Sequence, residues 1–342
     1  MVFSSAVFLF AFLPLTIFGY FLLPRKWRNA YLMLASLVFY AWGEPKFVLV
    51  MIASILMNYL FGLLVVKKED EACRKRILVL MVIANLSLLF VFKYLNFTVA
   101  NLNVLFHGRI PQTHIVLPIG ISFFTFQAMS YVFDVSMGRG KVQKNPLNVA
   151  LYIALFPQLI AGPIVRYADI EPQLKERRST PAMVAAGAQR FVLGLGKKVL
   201  IANVLYQLIT VYKATTQPSV LYSWMYAAAY MLHIYFDFSG YSDMARGTGA
   251  VFGLDLPENF HHPLQSSSVA DFFGRFNISA NRFVRKYVYQ ALGAEDNGPL
   301  STSVNILLIT MLMGLWYGIN LNYLVWGAFL GLFIIFEVLY IE

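Results

Sequence analysis

Long stretches without a single charge constrain this chain more than any other feature. Residues 6–23, 47–66 and 77–92 contain no Asp, Glu, Lys or Arg. A helix needs roughly 18 to 20 residues to cross about 30 Å of hydrocarbon. Backbone polar groups left unpaired in lipid cost several kcal/mol each, so such runs must be helical. The period-two alternation of a transmembrane barrel is absent. The expected fold class is therefore all-α, a polytopic integral membrane protein. Composition agrees: 13% of residues are charged, where a soluble domain has about 25%, and the mean hydropathy is +0.63.

The formal net charge of +10 does not point to nucleic acid. Its basic residues lie in short clusters between apolar segments, where membrane topology places them. The single cysteine, Cys73, can form no internal disulfide. Residues 6–23 do not read as a cleavable signal peptide, because no Lys or Arg precedes them and the run is too long. The positive charges follow instead, in Pro24-Arg25-Lys26-Trp27-Arg28. That order predicts an N-terminus outside and the first loop in the cytoplasm. Residues 67–76 carry five positive charges against three negative ones and also read as cytoplasmic.

Further candidate segments are residues 31–42, which are short, 77–100 and 116–135. Residues 147–165 are interrupted by Pro157 and Pro163. A full crossing there would leave Arg166, Lys175, Arg177 and Arg178 outside, against the positive-inside rule. A re-entrant or broken segment removes the conflict. Residues 181–212 form a long helical pattern containing Arg190, Lys197 and Lys198, and 221–236 are apolar and aromatic. Residues 237–297 are mixed polar, aromatic and glycine-bearing, which suits short re-entrant or interfacial helices lining a polar cavity. Spans at 304–319 and 322–340 close the sequence. No repeat or linker divides residues 1–342, which read as one membrane domain. The ending at Glu342, straight after an apolar run, would suit a longer native chain.

No P-loop and no Cys/His metal spacing is present, so no metal is expected. Gly138-Arg139-Gly140 and Gly194-Leu195-Gly196 read as helix ends and close packing. The densest polar signal is Tyr235-Phe236-Asp237-Phe238-Ser239-Gly240-Tyr241-Ser242-Asp243-Met244. Acidic groups at membrane depth cost at least about 2.5 kcal/mol unless paired or hydrated. Asp237, Ser239, Tyr241 and Asp243 thus suit either a cavity wall or a helix terminus at the interface. A second signal is Asp271-Phe272-Phe273-Gly274-Arg275-Phe276-Asn277-Ile278-Ser279. In a third, Met313-Gly314-Leu315-Trp316-Tyr317-Gly318-Ile319-Asn320, glycines flank an aromatic pair and permit close helix approach or a bend.

These stretches resemble the membrane-bound O-acyltransferase family, in particular the alginate O-acetylation branch of bacterial polysaccharide acetyltransferases. The likeness extends to Val2-Phe3-Ser4-Ser5, Leu23-Pro24-Arg25-Lys26-Trp27-Arg28-Asn29, Phe39-Tyr40-Ala41-Trp42-Gly43-Glu44-Pro45 and Leu117-Pro118-Ile119-Gly120-Ile121-Ser122-Phe123-Phe124-Thr125-Phe126-Gln127. It continues through Phe156-Pro157-Gln158-Leu159-Ile160-Ala161-Gly162-Pro163-Ile164 and Leu256-Pro257-Glu258-Asn259-Phe260. The resemblance implies a ring of tilted transmembrane and re-entrant helices around a central tunnel. That tunnel would join a cytoplasmic acyl donor, acetyl-CoA or an acyl carrier, to an acceptor on the far side. It also implies a bacterial inner membrane, a periplasmic N-terminus, and a polysaccharide acceptor or periplasmic acetyltransferase as partner, with no bound cofactor.

Two histidines mark the tunnel in the resembled family. Here Asn277 stands at the first position and Tyr317, the position of the family's catalytic base, at the second. The five histidines, His107, His114, His233, His261 and His262, fall in neither motif. Gly274 and Phe276 also replace bulkier residues beside Arg275. An imidazole with a pKa of about 6.5 suits a general base, whereas a phenol at about 10 stays protonated at neutral pH. Asparagine does not titrate and can only hydrogen-bond. Two readings follow: an O-acetyltransferase serving an exported polysaccharide, or an inactive scaffold that binds or passes an acyl group or holds a partner. Asp237, Ser239, Tyr241, Asp243, Asp271, Arg275 and Trp316 are the expected lining of its tunnel or cavity. A transporter is disfavoured, since paired broken helices in matching halves are lacking.

Overall fold

Apolar runs become helices along nearly the whole chain in a computed structural model, which describes residues 1–68, 70–293 and 298–340. Glu69 of the charged loop, the end of the polar stretch at 294–297, and Glu342 lie outside the described residues. The first run forms α1 (Phe8–Leu22), followed by α2 (Arg25–Gly43), α3 (Val48–Val66) and α4 (Glu71–Leu105). After α5 (Ile121–Ser136) come three short helices, α6 (Pro146–Ala154), α7 (Phe156–Leu159) and α8 (Tyr167–Glu176). Next are α9 (Pro181–Ala214) and α10 (Val220–Val251), then α11 (Val269–Arg275) and α12 (Ile278–Val284). Last come α13 (Gly298–Tyr317) and α14 (Leu321–Tyr340). Among the described residues α3, α4, α9, α13 and α14 are long and apolar enough to cross a membrane, whereas α1 is shorter than 18 residues. Their outer surfaces present large apolar side chains such as Leu64, Leu200, Phe329 and Phe336, which suits a lipid neighbour.

Two compact units divide the chain, residues 1–56 with 143–258, and residues 57–142 with 259–342. The first unit is built on an aromatic cluster. Phe3 stacks on Phe8 at 4.5 Å between ring centroids and on Tyr241 at 4.6 Å, and Phe12 meets Phe156 edge-on at 5.3 Å. Stacked and edge-on ring pairs of this kind contribute about 0.5–1.5 kcal/mol each beyond their buried area.

The proline-interrupted segment at 147–165 turns back within this unit. The Asn29 amide Nδ2 donates both to Asn148 Oδ1 at 3.0 Å, near the start of α6, and to the Leu174 carbonyl at 2.9 Å, near the end of α8. One side chain therefore touches the chain as it enters and again as it leaves, and Arg177 returns beside Asn29. The segment is thus broken into short helices and folded back on itself beside Asn29.

The expectation of a helix ending at Phe236 is corrected. Helix α10 runs on through Asp237 and Asp243 to Val251, so this polar stretch is neither a helix terminus nor a string of short helices. The reason is tertiary. Gly194 of α9 and Gly240 of α10 face one another so closely that a Cβ on either would meet the other's backbone oxygen. This approach places the Asp237 and Asp243 carboxylates against the basic residues of α9. The short-helix expectation holds further on, where α11, α12 and a π-helical turn at Arg285–Tyr289 follow one another.

In the second unit, polar groups in apolar helices pair with each other. Asn58 of α3 and Asn85 of α4 exchange amide hydrogen bonds of 3.0 and 2.9 Å, the kind of polar link that joins helices where water is absent. Helices α13 and α14 pack through Gly314, where a Cβ would fall on the Tyr323 carbonyl oxygen.

Candidate functional site

Helices α11 and α12 meet at Asn277, which lies in the left-handed region with φ 54° and ψ 50°. Asparagine adopts this conformation more readily than most residues. The bend is held from outside by the residues around Asn259. The Ile278 N–H donates to the Asn259 carbonyl at 3.0 Å, and the Ser279 N–H to Asn259 Oδ1 at 3.2 Å. The His261 N–H donates to the Arg275 carbonyl at 3.0 Å, and Phe260 forms an isolated antiparallel bridge with Phe276. Residues 259–261 and 271–279 of the second unit thus form one structure.

The bend aims Asn277 at the end of α13. Its Nδ2 donates to the Tyr317 hydroxyl at 2.8 Å. Among the described residues, Asn277 Oδ1 and Trp316 Nε1 are buried with no hydrogen-bond partner. Leaving such groups unpaired costs about 1–3 kcal/mol each, so the local polarity is maintained against packing. Tyr317 also lines a cavity of about 370 Å³, together with Phe273, Asn281, Arg285, Met313 and Trp326. This is within the size range of small-molecule sites, and its lining is mostly apolar.

Trp316 is fixed on both sides. Its ring stacks on Phe126 with centroids 5.9 Å apart, and its carbonyl accepts from Lys93 Nζ at 2.6 Å. The preceding carbonyl, of Leu315, accepts from the Tyr94 hydroxyl at 3.3 Å. Lys93 lies in a π-helical turn of α4, Phe90–Tyr94. Such turns displace side chains from their regular helical direction and are frequent at functional sites. Sequence reasoning missed Lys93. The available signal was an ionisable residue inside the apolar run at 77–100, which deserves a functional reading by default.

Asp271 and Arg275 pair with each other at 2.6 Å along α11. The Arg275 hydrogen bond, followed by that from the Ser267 N–H, holds the Asp271 carboxyl below its ordinary range. The N-terminus of α11 is capped from α14, where Glu337 accepts from the Val269 and Ala270 N–H groups at 2.7 and 2.8 Å. Neither Asp271 nor Arg275 lines the Tyr317 cavity.

The remaining candidates belong to the other unit. Asp243 binds Arg190 at 2.9 Å and Lys197 at 2.6 Å, and Asp237 pairs with Lys198. Glu258 joins the network through Arg190 at 3.2 Å and Arg246 at 3.1 Å. Lys197 and Lys198 are adjacent in sequence yet both reach α10, because they open a π-helical turn at Lys197–Ala202. Ser239 is buried and Tyr241 stacks on Phe3. The structure thus gathers Asp271, Arg275, Asn277, Trp316 and Tyr317 in one unit and Asp237, Ser239, Tyr241 and Asp243 in the other. Among the described residues no cluster of His, Cys, Asp and Glu is placed to hold a metal ion.

Comparison with known proteins gives this geometry a context. Residues 142–342 match the model of MBOAT, the membrane-bound O-acyltransferase family. The chain is similar to the probable alginate O-acetylase AlgI of Pseudomonas aeruginosa, 41% identical over 342 residues that cover 98% of this chain and 66% of that protein. The AlgI of Azotobacter vinelandii is 41% identical over 345 residues, with 98% of this chain and 68% of that protein covered. A peptidoglycan O-acetyltransferase of Helicobacter pylori is 34% identical over 365 residues, covering 97% of this chain and 69% of that protein. The chain spans about two thirds of the length of these curated relatives.

Proposed function

The chain belongs to the membrane-bound O-acyltransferase family, and from that premise we propose that it handles an acetyl group bound for an exported polysaccharide, with its own transfer step attenuated. The donor is a cytoplasmic thioester, acetyl-CoA or an acyl carrier, and no resident cofactor takes part. The acceptor is a polysaccharide of the alginate type, reached directly or through a periplasmic acetyltransferase. The names of the AlgI and peptidoglycan O-acetyltransferase relatives support this substrate class. The protein lies in a bacterial inner membrane with its N-terminus in the periplasm, as its distribution of Lys and Arg favours.

One observation carries the attenuated reading, the hydrogen bond between Asn277 and Tyr317. In acyl transfer an acceptor hydroxyl attacks the thioester carbonyl, the C–S bond breaks, and the hydroxyl proton passes by way of a base to the leaving thiolate. Asn277 carries no titratable proton, and a phenol with a pKa near 10 keeps its own at neutral pH. The pair fills both family positions and supplies no base. Loss of general-base catalysis lowers a rate by roughly 10²- to 10⁴-fold.

The test is acetyl transfer from labelled acetyl-CoA by purified chain in nanodiscs. The unaltered protein should give little product, Tyr317→His some, and Tyr317→His with Asn277→His at least about 10²-fold more than the unaltered chain. Robust turnover by the unaltered protein that survives Tyr317→Phe would overturn the assignment.

A further inference from the structure

A second cavity, in the first unit, contains neither Asn277 nor Tyr317, on which the acyl-transfer reading rests. It measures about 540 Å³ and is formed by the start of α2, the start of α6 and the end of α8. Arg25, Lys26, Arg28, Lys175, Arg177 and Arg178 line it, against the single carboxylate of Glu176. Lys175 is paired with Glu171 at 2.5 Å. Among the described residues the other five cations have no carboxylate partner. Topology-setting charges on an open loop are dispersed and screened by salt. Here they converge on a concave surface, where the carboxylates of Glu176 and Glu171 offset only part of their mutual repulsion.

Two of the guanidinium groups are built into place around Tyr20. Arg28 lies 4.8 Å from the centroid of the Tyr20 ring and Arg177 lies 5.7 Å from it. Arg28 Nε donates to the Leu23 carbonyl at 3.2 Å. Arg177 donates through Nε to the Tyr20 hydroxyl at 3.2 Å and through Nη1 to Asn29 Oδ1 at 2.6 Å. Tyr20 in turn donates to the Phe252 carbonyl at 2.9 Å. Arg177 Nη2 is left buried with no hydrogen-bond partner among the described residues. The first turn of α2 adds to the field. It has no side-chain cap and no acidic residue, so cations sit at the positive end of its dipole, an arrangement that an anion would relieve.

We propose that this cavity binds a phosphate-bearing anion. Several cations around one concave site match a multiply charged group, and guanidinium forks suit phosphate oxygens in particular. The same chemistry is offered by a soluble diphosphate, as in coenzyme A or a nucleotide, and by an anionic phospholipid headgroup. The site does not rest on the acyl-transfer reading, because binding is measured without turnover.

The experiment uses the full chain in nanodiscs of phosphatidylcholine. Coenzyme A and pyrophosphate are titrated calorimetrically as soluble probes, and thermal stability is compared after part of the lipid is replaced by phosphatidylglycerol. At least one arm should show saturable, salt-sensitive binding. Arg28→Gln with Arg177→Gln should weaken it by about tenfold or more. Arg25→Gln with Lys26→Gln removes two exposed charges without a partner and should weaken it as well, deciding the matter if the first variant fails to fold. A response to the soluble probes assigns a soluble diphosphate, and a response to phosphatidylglycerol alone assigns a lipid headgroup. Silence in every arm, or binding indifferent to the variants that fold, overturns the proposal.

Discussion

A hydrogen bond between Asn277 and Tyr317 joins residues that sequence comparison alone could only align with a family pattern. Asn277→Ala would leave the phenol unpaired and force alanine into the left-handed region. We expect a loss of about 1–3 kcal/mol in thermal unfolding. Asn277→His should cost less, because histidine also tolerates that conformation. Lys93→Met removes a charged donor from the Trp316 carbonyl and should cost roughly 1.5–3 kcal/mol by the same measurement. Asp271 gives a pH signature. Its folded-state pKa is depressed by Arg275 first, so its contribution is complete above the unfolded value of about 3.9 and is lost as pH falls through the folded one. Asp271→Asn should remove that acid-side dependence from the melting profile, and an unchanged profile would count against the pairing. Asn277 and Tyr317 could be singled out in the sequence because each sits in a stretch that resembles a family motif, whereas their hydrogen bond could not. Lys93 was not, since its partner is a carbonyl in α13, far away along the chain.

Helices in this protein are joined at points of close approach. Gly314→Ala would place a methyl on the Tyr323 carbonyl, and such overpacking costs about 1–3 kcal/mol. Thermal stability should fall, whereas Gly274→Ala, with open space around it, should leave it nearly unchanged. The α9–α10 pair is also tied by charge. Asp243→Asn removes the carboxylate from Arg190 and Lys197 and should destabilise by roughly 1.5–3 kcal/mol. Adding Lys197→Met should recover part of that loss if the two side chains are coupled. Residues 237–251 misled a reading based on local texture. Their carboxylates and glycines suit a cavity wall or a helix terminus, whereas each carboxylate has a basic partner on α9 and Gly240 meets Gly194. Information about that partner lies some forty residues away.

For the whole molecule, the proposed topology puts the N-terminus in the periplasm and the first turn of α4, which holds Cys73, in the cytoplasm. A membrane-impermeant maleimide should therefore label Cys73 in lysed cells and not in intact ones. Equal labelling of both would reverse the orientation. The sequence by itself determined that this chain is an all-helical, multi-pass membrane protein, because uncharged runs of such length have no other stable form in lipid. It also pointed to a break in residues 147–165, at Pro157 and Pro163, where the structure has two short helices in place of one long one. Only the tertiary structure decided which groups meet: Asn277 with Tyr317 across 40 residues, and Arg177 with Asn29 across 148. Spans are dictated by the free energy of moving each segment into lipid, a local property of composition. Side-chain contacts between distant segments depend on how helices approach, turn back and bend, which small residues, prolines and left-handed positions permit but do not individually specify.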